Sequence, residues 1–149
     1  MATIKGGDKL EKALADIAKR VGRGGEVRIG FLEGATYPDG TSVPLVAAVQ
    51  NFGASEKGIP PRPFFSNMVK EKSPQWPAKL GKVLKANDYN VDQSLAQMGE
   101  GIKGQLQQSI RDTNSPPLAP ATIARKGFEK PLVDTGHMLN SVDYEVTDK

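Results

Sequence analysis

Seven consecutive residues constrain this chain more than any others: Ile59-Pro60-Pro61-Arg62-Pro63-Phe64-Phe65. Proline fixes its own φ and restricts the residue before it, so the segment is held extended, near polyproline II, with little entropy left to lose. The residues upstream read as a short helix from Val43. Pro44 suits the first helical position, Ser42 can cap it, Leu45, Val46, Ala48 and Val49 supply an apolar face, and Gly53 can end it in a left-handed conformation. A polar span, Ala54 to Gly58, expected to be flexible, joins the two. Two roles fit the proline segment. It is either a rigid connector whose Phe64 and Phe65 plug the core, or an interaction segment, because stiff prolines and anchoring aromatics lower the entropic cost of binding.

Around this segment the chain reads as one α+β domain spanning residues 1–149. Asp8 and Glu11 have the spacing of a capping box, and Leu10, Ala13, Leu14, Ile17, Ala18 and Val21 follow at helical spacing up to Gly22. Past Gly24-Gly25 the period becomes two: Val27, Ile29 and Phe31 alternate with Glu26, Arg28 and Gly30, as in a half-buried strand. Gly34 to Gly40 is a turn-rich loop. A helical turn or two is expected over Ser66–Lys72, then a helix entered at Ser73-Pro74, with Trp76 and Leu80 on one side, ending near Ala86.

Asn90 to Arg111 is the longest helix, with Leu95, Met98, Ile102, Leu106 and Ile110 as its core stripe. Gly99, Gly101 and Gly104 weaken it unless they admit a close neighbour or mark a kink, and its glutamine-rich face suits water or another protein. A loop from Thr113 to Ala119, a short helical piece from Pro120 and an extended Lys130–Val133 come next. Asp134 then caps a short helix or turn through Thr135, Gly136 and His137. Val142, Tyr144 and Val146 alternate in a closing strand. Pairing it with Val27–Phe31 gives a small antiparallel sheet packed on the long amphipathic helix, with shorter helices around it.

Composition narrows the chemistry. The chain has no cysteine, which removes disulfides, thiolate metal sites and a Cys nucleophile, and His137 is its single histidine. No GxGxxG, GxxxxGK[ST], EF-hand or nucleophile-elbow pattern occurs. No apolar run is long enough for a membrane span and the N-terminus lacks a signal-peptide core, so the expectation is a soluble protein made in a cytoplasm. The net charge of +3 is mildly basic. Lys70, Lys72, Lys79, Lys82 and Lys85 read first as a solvated face, and otherwise as a nucleic-acid-binding patch with few aromatics to stack bases. Leu132-Val133-Asp134-Thr135-Gly136 resembles the aspartic-protease signature, in which paired Asp residues activate water. Those folds place several strands after that turn, whereas 13 residues follow Gly136 here, so the helix-cap reading of Asp134 is preferred.

Taken together, Val43–Phe65, with its Pro61-Arg62-Pro63-Phe64-Phe65 close, and two C-terminal runs resemble one family. The first run, Pro117-Leu118-Ala119-Pro120-Ala121-Thr122-Ile123-Ala124-Arg125-Lys126-Gly127, is similar to a "PLxxxTxxRKG" stretch. The second, from Lys130 through Asp134-Thr135-Gly136 to Ser141-Val142, is similar to "KPLxDTGxLxxSI". These are motifs of tailed-phage head–tail joining proteins, also called tail completion, neck or virion morphogenesis proteins. The resemblance spans residues 26–146 but does not include Lys70–Tyr89.

It implies structural work without catalysis or cofactor. The expected assembly is a ring of identical subunits, commonly a hexamer, in the virion neck between the connector or adaptor and the tail terminator or tail tube. The ring would surround packaged DNA without reading its sequence and would assemble in the host cytoplasm away from membranes. A tail terminator or minor tail protein is the neighbouring role. By matching position, Arg62, Pro63, Phe64 and Phe65 anchor the first motif, and Asp134, Thr135, Gly136 and Ser141 shape the C-terminal turn. A buried carboxylate or carbonyl partner is expected for Arg62, since a guanidinium suits directed hydrogen bonds.

Overall fold

The computed structural model describes residues 6–113 and 136–148. In chain order these form α1 (Gly7–Val21), β1 (Glu26–Phe31), α2 (Val43–Phe52), a 3-10 turn (Ser55–Lys57), α3 (Phe64–Lys72), a second 3-10 turn (Ser73–Gln75), α4 (Trp76–Ala86), α5 (Val91–Asp112), a short α6 (His137–Asn140) and β2 (Val142–Thr147). This is the α+β arrangement expected: a two-stranded antiparallel sheet on a long helix, with shorter helices around it. The strands pair in the register Glu26↔Thr147 to Phe31↔Val142. None of the described helices is long and apolar enough to cross a membrane.

The 22 residues of α5 form the floor on which the rest is laid. Asn90 caps it, its Oδ1 accepting the N–H of Gln93 at 3.0 Å. The stripe Leu95, Met98, Ile102, Leu106 and Ile110 is buried throughout. Gly99 is where the sheet comes closest. A Cβ there would lie 2.5 Å from Tyr144 Cδ2 and 3.0 Å from Val27 Cγ2, so only glycine admits both strands onto the helix. Gly101 and Gly104 face open space and have no such role. The glutamine face is spent partly on the chain itself: Gln105 accepts from Trp76 Nε1 at 2.9 Å, Gln97 from Asn87 at 3.0 Å, and Gln107 donates to Leu139 O at 3.4 Å.

Two helices depart from their sequence patterns. α1 ends at Gly22 as expected, but Asp8 is not its cap. Gly6, in a left-handed conformation at φ 89°, holds the N-cap position and Asp8 falls inside the first turn, facing the positive helix end. More consequentially, no residue of α1 is buried: Leu10 is 61 % exposed and Leu14 56 %.

α2 has its Ser42 cap and Pro44 in place but turns the other side inward. Val43, Ala47 and Asn51 are buried, with Val46 packed beside them, whereas Leu45 and Ala48 of the expected apolar face lie outside and Val49 is half-buried. The helix is apolar on nearly every side, so periodicity could not choose between faces. The hydrogen bonds of Gln50 and Asn51 described below set the choice.

Candidate interaction surface

The proline segment is built into the fold through α2. Gly53 ends that helix with φ 75° and ψ 175°, and a Cβ there would stand 2.8 Å from Pro61 N and 2.9 Å from Ile59 O. The chain doubles back immediately. Ala54 and Ile59 exchange two backbone hydrogen bonds of 2.8 and 3.0 Å around the 3-10 turn, so the span expected to be flexible is a closed, hydrogen-bonded turn. Arg62 N–H then donates to Gln50 O at 2.7 Å, fastening the segment along α2.

Pro63 is not in polyproline II geometry. Its φ of −77° and ψ of 55°, with Phe64 N–H donating to Arg62 O at 2.7 Å, make an inverse γ-turn. That turn swings the backbone directly into α3, so Phe64 and Phe65 open a helix where the extended segment was expected to continue.

The residues of the segment are divided between the core and the surface. Phe64 is buried, edge-on to Phe31 with ring centroids 6.2 Å apart, and its carbonyl accepts from Ser109 Oγ of α5 at 2.6 Å. Phe65 is half-buried and edge-on to Phe64. Arg62 is 5 % exposed, and its Nη1 donates to the side-chain carbonyl of Gln50 at 3.1 Å, a carbonyl partner as expected. Burial pushes the guanidinium pKa down from its ordinary value, yet a guanidinium stays charged at neutral pH. Pro63 is half-buried, while Pro60 and Pro61 face outward.

Asn51 is the residue that sequence reasoning passed over. Its Oδ1 accepts the N–H groups of Phe65 and Ser66, each at 3.1 Å, and its Nδ2 donates to Ser66 Oγ at 2.8 Å. Pro63 offers α3 no side-chain cap, so an asparagine reached from α2 takes over that work across 14 residues of chain. The signal was present: two hydrogen-bonding side chains, Gln50 and Asn51, in an otherwise apolar helix upstream of a helix start that lacks a cap.

The C-terminal motif is described in part. Asp134 and Thr135 lie outside the described residues, as do the helical piece from Pro120 and the extended Lys130–Val133. Gly136, at φ 72°, occupies the N-cap position of α6, the place expected for Asp134. Ser141 Oγ donates to His137 O at 2.7 Å and closes that helix. His137 stacks on Tyr37, centroids 4.9 Å apart, with Nε2 2.7 Å from Thr36 O. Met138 and Val142 join the same core cluster as Phe64, so both motifs brace one region over the C-terminal half of α5. Among the described residues no three His, Asp or Glu side chains converge as a metal ion would require.

Part of the uncovered surface is apolar. On α2, Leu45 (61 % exposed), Ala48, Val49 and Phe52 (75 % exposed) follow one another at helical spacing along the outer face. Beside Phe52 an open cleft of about 580 Å³ runs along Gly53–Pro61. The stripe of α1 is the second such face. Single exposed apolar side chains are ordinary, whereas these are aligned along one helix face. Lys70, Lys79, Lys82 and Lys85 are exposed on α3 and α4, and Lys72 pairs with Glu71 at 2.9 Å. No family model, curated protein or solved structure matches the chain.

Proposed function

We propose that this chain is a structural virion protein that forms a ring at the neck of a tailed phage and joins the head connector to the tail. The observation that carries the reading is the pair of uncovered apolar helix faces on α1 and α2, on a chain whose proline segment is rigidly seated by Arg62, Asn51 and Phe64. A ring subunit needs both properties: a stiff body, and apolar faces left for neighbours. The order of the sequence motifs, with their resemblance to head–tail joining proteins, supplies the place. In this reading the work is done by packing, without catalysis or a cofactor. The partners are further copies of the chain, the connector or adaptor on one side, and the terminator or tube on the other. Packaged DNA passes through the channel unread.

Electron microscopy of a lysate from phage lacking this gene tests the place. DNA-filled heads beside separate tails of normal length are expected. Tails of abnormal length would move the protein to the terminator role, and intact infectious particles would contradict the virion reading altogether.

A further inference from the structure

α4 is laid against α5 by hydrogen bonds at its two ends. Where α4 begins, Trp76 Nε1 donates to the side-chain carbonyl of Gln105 at 2.9 Å. Just past its end, Asn87 Nδ2 donates to Gln97 Oε1 at 3.0 Å and to Ser94 Oγ at 3.3 Å. Between these ties the helices leave a groove of about 370 Å³ whose floor, Trp76, Val83, Met98 and Ile102, is apolar. The indole N–H is already engaged by Gln105, so the floor offers a ligand its ring face and hydrocarbon. Gly101 opens the groove from the α5 side. A Cβ there would meet nothing within 4 Å. Glycine inside a helix costs about 1 kcal/mol relative to alanine, so this room comes with a weaker helix.

The rim carries one sign of charge. Lys79 and Lys82 line the groove and are exposed. Among the described residues neither forms an ion pair, and no carboxylate lines the groove. The bias extends over both helices: residues 64–86 hold five lysines and one glutamate, whereas the rest of the chain holds 15 basic and 16 acidic residues. The excess positive charge of the protein therefore sits on α3 and α4.

That charge selects the occupant. Residues 114–135 of this chain carry three basic and two acidic side chains and do not complement the rim. The most acidic run, Asp143 to Asp148, is engaged in and beside β2, where Asp143 pairs with Lys103 at 3.2 Å and Glu145 faces Arg28 at 3.9 Å. Duplex DNA would meet the lysines but has no apolar group to lay on the floor between two helices. We infer that the α4–α5 groove takes an acidic segment of a different protein, which seats an apolar side chain over Gly101 against Trp76 and sets flanking carboxylates on Lys79 and Lys82. The volume is that of a small-ligand site, so the recognised element is a short motif and not a broad surface. Because α4 is tied at both ends, the groove is formed before anything enters it, which lowers the ordering cost of binding. Neither self-assembly nor a place in a virion is needed for it.

Trp76 is the single tryptophan of the chain, so its fluorescence reports on the groove directly. The full chain is titrated at low salt with a tryptophan-free peptide carrying leucine and phenylalanine between two pairs of aspartates. A saturable change in Trp76 emission is expected. Affinity should fall about tenfold in the Lys79→Gln/Lys82→Gln double variant, which loses two exposed ion pairs. It should fall below detection in Gly101→Leu, whose side chain fills the groove and favours the helix. Both variants are expected to melt no lower than the parent chain, which separates lost binding from lost fold. Equal binding of a peptide with serines in place of leucine and phenylalanine would reduce the site to general charge attraction and overturn the inference. Tighter binding of a short DNA duplex that survives Gly101→Leu would make the lysines a nucleic-acid face and overturn it too. A change in Trp76 emission with protein concentration alone would make the occupant another copy of this chain, again contradicting it. No change in emission at millimolar peptide would leave the groove without the proposed ligand and sink the inference.

Discussion

α1 and α3 are both short helices entered without a side-chain cap of their own, yet their fates in the fold differ. α3 is held at its start by a side chain from another helix, drives Phe64 into the core, and has its first carbonyl taken by Ser109. α1 has no buried residue, Ile17 alone being half-buried, and among the described residues it is tied by one surface ion pair. The helix with the more regular apolar stripe is the one left outside. An amphipathic pattern therefore states that a helix will be covered, but not by what. The covering is decided by directed polar contacts such as those of Asn51 and Gln50, which fix one face of a helix to its own chain and leave the other bare.

Substitutions can break or sharpen that contrast. The largest effect is expected from Phe64→Ala, which removes a fully buried ring that meets Phe31 and Phe65. It should cost about 3–5 kcal/mol, read as a fall in melting temperature on the order of 10 °C. An unchanged melting temperature would dissolve the distinction between the two helices. Next comes Asn51→Leu, which leaves the first N–H groups of α3 unsatisfied in a buried place, at roughly 2–3 kcal/mol by denaturant unfolding. Asn51→Asp keeps the acceptor and adds a charge the helix end favours, so it should cost less than about 1 kcal/mol. Equal damage from both would show that Asn51 is needed for its shape and not as a cap.

A smaller effect, roughly 1–3 kcal/mol, is expected for Gly99→Ala, because the new methyl meets Tyr144 and the sheet must lift from α5. Gly101→Ala, two residues on and facing open space, should instead be neutral or stabilise by up to about 1 kcal/mol. The smallest effect belongs to Leu14→Ala. In the dilute isolated chain it should change stability by less than about 0.5 kcal/mol, against about 2–5 kcal/mol for Leu106→Ala in the core. A large loss from Leu14→Ala in the dilute chain would mean that α1 is packed on its own body.

Much of the fold was legible because its signals are local. The buried stripe of α5 and the two strands with their pairing follow from the spacing of their apolar residues. What escaped was decided at a distance. Asn51 acts on residues 14 and 15 positions away, the inward face of α2 depends on that bond, and the γ-turn at Pro63 depends on where α3 must go. Of the three glycines in α5, sequence could say that one or more admits a neighbour, but only the placement of Tyr144 and Val27 picks Gly99. The motif at Pro61–Phe65 was found by its stiffness, yet its division into outward prolines and inward Arg62 and Phe64 needed the backbone.

Hydrogen exchange measured residue by residue, at a dilution where the chain is monomeric and again at assembly concentration, tests the central claim most directly. The account predicts that α3 and α5 are protected in both samples, while amides of Leu10–Val21 exchange rapidly when dilute and become protected on assembly. Protection of α1 equal to that of α3 in the dilute monomer would contradict it, because α1 would then already have its partner within the chain.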